Sequence, residues 1–244
     1  MKMAFLILAP ALLLANTASF ACDQVEDQSS TSSIPLNSAS AEGFVPAAWY
    51  LEKSVEGDLN GDGITDLALI IRQNDPELML HNDGLGTDQY DTNPRTIVLA
   101  LKQADGEYLR IATNDQIIPV IRSATMDDPI DGVGGGSLMI DKGVLRLRIG
   151  FWASAGSWDM FSRTFSFRLK RQRLGLIGFD HHYVHRGSGE LKTISINYLT
   201  RRKKTENGSI EDDHVPEVWS KISRKPLILF DNIGDGFDFD PDKN

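Results

Sequence analysis

The chain is built from short apolar runs and alternating segments, with few stretches at helical spacing. Leu67-Ala-Leu-Ile-Ile71 and Thr96-Ile-Val-Leu-Ala-Leu101 are nearly continuous in apolar residues. That is the pattern of strands buried on both faces. Asp105-Gly106 separates the second run from residues 107–112, and Asp-Gly between two such runs predicts a hairpin. Farther along, Leu145, Leu147, Ile149 and Phe151 alternate with Arg146 and Arg148, and Phe165, Phe167 and Leu169 alternate with Ser166, Arg168 and Lys170. Period two with one apolar side is a strand with one face in a core. Lys142-Gly143 joins 137–141 to 144–151 as a second hairpin, and 173–183 and 191–200 extend the series across the Gly187-Ser-Gly189 turn. Ile194, Ile196 and Tyr198 share a face of the last of these.

The predicted fold class is therefore mainly β, an antiparallel meander with few short helices. It takes the form of a partial propeller-like sheet or of a sandwich- or barrel-like one. Folded structure is expected to begin near Phe44, with Trp49 and Tyr50 as early core anchors. Residues 74–94, rich in Asp, Asn and Gly, read as a long surface loop, and 215–222 as a short helix.

The N-terminus departs from this pattern. Lys2 precedes an apolar run from Ala4 to Ala15, and Ser19-Phe20-Ala21 offers small residues where a signal peptidase reads. The run is about a dozen residues, short of the ~20 a membrane span needs. Residues 1–21 are thus expected to be a signal peptide, 22–42 a disordered tether, 43–230 a single β-rich domain and 231–244 a loose acidic tail. Export to the periplasm or medium follows. Cys22, the single cysteine, would be the first residue after cleavage, and acylation of its thiol would make the protein an anchored lipoprotein. A lone cysteine leaves no internal disulfide.

Charge adds one asymmetry to a net −9: residues 22–100 carry 14 acidic and three basic side chains, whereas 142–204 carry 14 basic and three acidic. Opposed blocks of this kind either steer an anionic partner or attract one another.

One segment carries recognisable chemistry. In Gly57-Asp-Leu-Asn-Gly-Asp-Gly-Ile-Thr-Asp66, oxygen donors at alternate positions of a tight loop can converge on calcium, which takes six to eight hard oxygens. The donors are Asp58, Asn60 and Asp62, the Ile64 carbonyl, and Asp66 closing the set. Gly63 permits the bend. Position twelve of an EF-hand would be a bidentate Glu, but here it is Leu69, inside a strand pattern. The other reading is an Asx/Gly-rich turn without metal.

With the following Leu-Ala-Leu-Ile, this segment resembles the FG-GAP/VCBS-type repeat, the calcium loop of integrin-like propeller blades. The resemblance implies calcium held by Asp58, Asn60, Asp62, Ile64 and Asp66. It covers about one blade, and a closed propeller needs at least four. The wider layout resembles uncharacterised secreted bacterial proteins with one such loop, which implies no activity.

Other candidates are weaker. His181-His182-x-x-His185 has metal-ligand residue types, but His181 and His185 on one strand stand ~13 Å apart. The Gly/Ser loop 150–158 carries Trp152 and Trp158, which either stack on a ligand or close the core. Ser154 and Ser157 lack a nucleophile-elbow pattern. Arg201-Arg-Lys-Lys204, with Arg168, Lys170, Arg171 and Arg173, forms a basic set suited to an anionic polymer or to solvent.

The expected function is a non-catalytic, calcium-supported binding or structural module. Its partner would be a glycan, a peptide or an anionic envelope surface rather than nucleic acid. The alternatives are a hydrolase of envelope polymers and an inhibitor or protective partner of another protein. Asp180, His181 or Glu190 clustered with a serine would favour the hydrolase; exposed Trp152 and Trp158 would favour binding.

Overall fold

A computed structural model describes residues 33–243. The predicted signal peptide, Cys22 and the first part of the tether lie outside these residues. The strands are β1 (Asn37–Ser38), β2 (Trp49–Gly57), β3 (Asp66–Gln73), β4 (Met79–His81), β5 (Gln89–Asp91), β6 (Arg95–Lys102) and β7 (Tyr108–Asn114), followed by β8 (Ser137–Asp141), β9 (Val144–Phe151), β10 (Asp159–Lys170), β11 (Arg173–His185), β12 (Glu190–Asn197), β13 (Arg202–Ser209) and β14 (Glu217–Lys221). Five strands form one antiparallel sheet in the order β1-β7-β6-β3-β2. The last seven form a second sheet in sequence order, and β4 and β5 make a separate ribbon. The seven-stranded sheet curls as a half-barrel. The antiparallel, β-rich meander is as expected, including both predicted hairpins, β6–β7 and β8–β9.

β3 and β6 lie in the middle of the five-stranded sheet and are covered on both faces. Leu67, Leu69, Ile71, Val98 and Ala100 pack with Ile34, Phe44 and Tyr108. The alternate residues Ala68, Ile70, Ile97 and Leu99 face Leu145, Leu147, Ile149, Phe165 and Phe167 of the half-barrel. Successive side chains leave a strand on opposite faces, so double coverage requires an unbroken apolar run. The outer strands of the meander have one covered face and accordingly alternate.

Four expectations are corrected. Residues 74–94 are not a plain loop: a 3-10 turn, Pro76–Leu78, leads into the β4–β5 ribbon. Residues 215–222 hold strand β14 instead of a helix. All five of its residues are exposed, so backbone pairing with β13 and the Arg202 guanidinium 4.5 Å above the Trp219 ring outweigh any helical pattern. The tether does not extend to residue 42, because Ile34 is buried and β1 pairs with β7. Nor is the chain after Asp231 loose: Phe230, Ile233 and Phe239 are buried in the main core, and the Asn114 amide donates to the carbonyls of Phe230 and Ile233. Phe44 is fully buried; of the two early anchors, Trp49 packs beside it, whereas Tyr50 is exposed.

At one end of the space between the sheets, Arg72 and Arg95 sit directly opposite on β3 and β6. They are 6% and 3% exposed, so their repulsion is poorly screened. A bulge between Leu51 and Lys53 leaves Glu52 without a ladder partner. Its carboxylate takes both Nε and Nη2 of Arg95, at 2.6 and 2.7 Å. Asp128 bonds Arg95 at 2.6 Å, and Asp91 pairs with Arg72 at 2.9 Å. Burial opposes the Arg95 charge, but the Glu52 and Asp128 carboxylates outweigh it and hold the guanidinium protonated. Removing one partner of such a cluster strands a buried charge. Glu52→Gln is expected to lower unfolding free energy by about 3–5 kcal/mol, read from urea denaturation; a loss within that of a surface substitution would contradict this account.

Candidate functional site

The 58–66 turn joins β2 to β3. Gly61 and Gly63 adopt φ of 86° and 82°, a left-handed conformation that a side chain would strain. The Asp58 carboxylate accepts from the N–H groups of Gly61 and Gly63, at 2.6 and 2.9 Å. These donors, that of Gly63 first, hold its pKa below the usual value. Asn60 Oδ1 accepts from the Asp62 N–H, and Asp62 accepts from the Ile64 N–H and the Asn60 amide. Asp66 is fully buried. Its two oxygens accept from the N–H groups of Leu59 (2.8 Å) and Lys102 (3.0 Å), tying the turn to the end of β6. Burial raises its pKa, with the two N–H donors opposing.

The five expected ligands thus fall into two groups: Asp58, Asn60, Asp62 and Ile64 in the exposed turn, and Asp66 buried at its exit. Among the described residues, no three His, Cys, Asp or Glu side chains gather as a metal-holding group. The turn closes on its own hydrogen bonds, and Leu59, 2% exposed, anchors it in the core.

The histidines are separated. His181 lies on the inner face of β11, stacked on Phe161 (5.7 Å) and Tyr183 (6.4 Å). Its Nδ1 accepts from Arg163 Nε at 3.1 Å. Arg163 Nη1 in turn donates to the carbonyls of Gly236 and Phe239, so this pair clasps the C-terminal segment to the sheet. Asp180 projects from the other face and accepts from Ser195 at 2.6 Å. His185 meets Ser188 in the next turn. Strand alternation therefore keeps His181 from the Asp180–Ser195 pair. Ser154 and Ser157 donate to the Thr125 carbonyl and to Asp159.

Trp152 and Trp158 flank one cation. The Arg186 guanidinium lies 5.0 Å from the Trp152 ring and 5.9 Å from that of Trp158. It donates to the carbonyls of Ala153 (2.6 Å) and Ser157 (2.8 Å). The loop is therefore held from beneath, with Trp158 left 64% exposed. Beside it Tyr183 donates to Asp159 at 2.7 Å, which lowers the Asp159 pKa and pushes that of Tyr183 up to about 12.

The basic run 201–204 does not form one patch. Lys203 pairs with Asp242, and Lys204 with Glu206 and Glu217. The acidic C-terminal segment thus meets part of the basic half of the chain. Sequence reading missed Arg163 and Arg186. Arg163 was an unremarkable cation in a strand pattern and Arg186 one in a turn, and their partners are carbonyls that no residue pattern marks.

Burial, reinforced by the Arg163 charge, pushes the His181 pKa down to about 4 from 6.5. As pH falls, the unfolded chain takes up this proton first. The stability supplied by neutral His181 is full above 6.5 and is lost between 6.5 and 4. His181→Gln should flatten the decline of the thermal midpoint across that window; parallel declines in variant and wild type would count against the clasp.

No helix among the described residues is long and apolar enough to cross a membrane. No family model matches this chain, and no curated protein or solved structure matches it.

Proposed function

We propose that this is an exported, non-catalytic binding module that recognises glycan through its aromatic loop. The carrying observation is the pre-ordered Trp158. A large apolar ring 64% exposed loses hydration on contact, and a loop already fixed by Arg186 loses little entropy on binding. The indole face suits the C–H face of a sugar ring, and Ser157, Asp159 and Tyr183 supply hydrogen-bonding groups close by. Export rests on the N-terminal signal pattern, and anchoring through Cys22 on its place after that signal.

Calcium is the proposed support of the 58–66 turn. The donor chemistry favours it: three carboxylates and one amide crowd into nine residues, a concentration of negative charge that a divalent cation relieves. The likeness to an FG-GAP/VCBS-type loop points the same way. Peptide and anionic surfaces are competing partners.

Titration of tryptophan fluorescence with soluble oligosaccharides tests the binding. Wild type should give a saturable change, and Trp158→Ala should lose it with an unchanged melting temperature. A saturable response that survives in Trp158→Ala would overturn the assignment. For the turn, calcium should raise the melting temperature of wild type and not of Asp62→Asn. An equal response of both proteins, with and without chelator, would remove calcium from the account.

A further inference from the structure

The end of the half-barrel opposite the aromatic loop contains a cavity of about 580 Å³, and its origin lies in strand register. The β11–β12 ladder ends at Gly178↔Asn197, so the first residues of β11 outrun their neighbour. The returning chain fills part of that edge: Leu176 N–H donates to the Ile228 carbonyl at 2.8 Å, and Gly175 bridges Leu229. Between this returning segment and the turn after β12 a space remains. Leu176, Tyr198, Ile222, Leu227 and Ile228 give it an apolar interior.

Two observations point to what would occupy it. First, Tyr198 lines the cavity, and its hydroxyl is buried without a hydrogen-bond partner among the described residues. A buried hydroxyl in that state costs free energy that an acceptor oxygen would recover. Burial also pushes its pKa up to about 12, with Asp242 adding to the effect, so it remains a donor at any ordinary pH. Second, the rim is positive. Arg201, Arg224 and Lys225 line it against one acid, Asp242, which is already paired with Lys203 at 2.6 Å. Arg201 and Arg224 are exposed and form no salt bridge among the described residues.

We infer that this cavity binds a small amphipathic carboxylate, with its apolar body against Leu176, Ile222 and Ile228 and its anionic head between the Tyr198 hydroxyl and the Arg201 and Arg224 guanidiniums. The volume falls within the range of small-molecule sites. Guanidinium presents paired donors that match a carboxylate. The site is independent of the aromatic loop. The 152–158 and 186–189 turns close one end of the meander, whereas 198–201 closes the other, one strand length away.

The test is isothermal titration of the protein with octanoate, octan-1-ol and acetate. Octanoate should bind saturably, and more tightly than either control by about tenfold or more. Tyr198→Phe should weaken it several-fold, in keeping with one lost hydrogen bond. The double variant Arg201→Gln/Arg224→Gln, at two exposed positions, should abolish the preference for octanoate over octanol. Trp158→Ala should bind octanoate as wild type does, which separates this site from the glycan reading. Failure of wild type to bind octanoate, octanol binding as tightly as octanoate, or a Tyr198→Phe or Arg201→Gln/Arg224→Gln protein that binds like wild type would each overturn the assignment.

Discussion

Arg72 and Arg95 face one another across β3 and β6 in the buried space between the two sheets. Two guanidiniums there repel, and neither can shed its proton, so the fold must bring carboxylates to them. It does so from three separate places: Glu52 on the β2 bulge, Asp91 at the end of β5, and Asp128 in the crossover between the sheets. Satisfying this one pair fixes the edge strand, the β4–β5 ribbon and the path of the crossover together. The cost of an unpaired buried charge thereby becomes a device that sets tertiary arrangement.

The same reliance on long-range polar partners recurs at the other cations. Arg163 holds the chain around Gly236 and Phe239 against the inner face of the half-barrel, and Arg186 holds the aromatic loop. In both cases a guanidinium, from strand β10 for Arg163 and from the turn after β11 for Arg186, satisfies backbone carbonyls of an irregular segment. Irregular segments lack ladder partners, and their carbonyls need donors from elsewhere. The aromatic surface and the covered concave face both follow from such contacts.

The half-barrel also separates its two ends by chemistry. One end carries the aromatic turns with Trp158 and Tyr183. The other carries the Tyr198 cavity with its cationic rim. Order along a meander makes this separation inevitable, since consecutive turns alternate between ends. A single domain can thus present two unlike surfaces without a second fold unit.

Local pattern determined much of this protein. The doubly buried runs around Leu69 and Val98, the alternating strands from Leu145 to Ile196 and the hairpin at Lys142-Gly143 were all legible, because a strand's period and its turn chemistry are written in adjacent residues. So was the tight turn at 58–66, where Asp, Asn and Gly recur at short spacing. Tertiary structure decided the rest. Arg171-Gln172 turns β10 into β11 with both residues at positive φ, a conformation that neither residue type announces. Asp66 is buried, and its oxygens meet the N–H groups of Leu59 and Lys102, the second of them 36 residues away, a tie that the local pattern of the turn does not show. β14 is a strand because β13 offers it a ladder, and the acidic C-terminal segment is ordered because Phe230, Ile233 and Phe239 find a core that exists only once both sheets have met. Contacts between residues near in sequence leave a periodic trace, whereas a hydrogen bond or an apolar pocket assembled from distant strands leaves none.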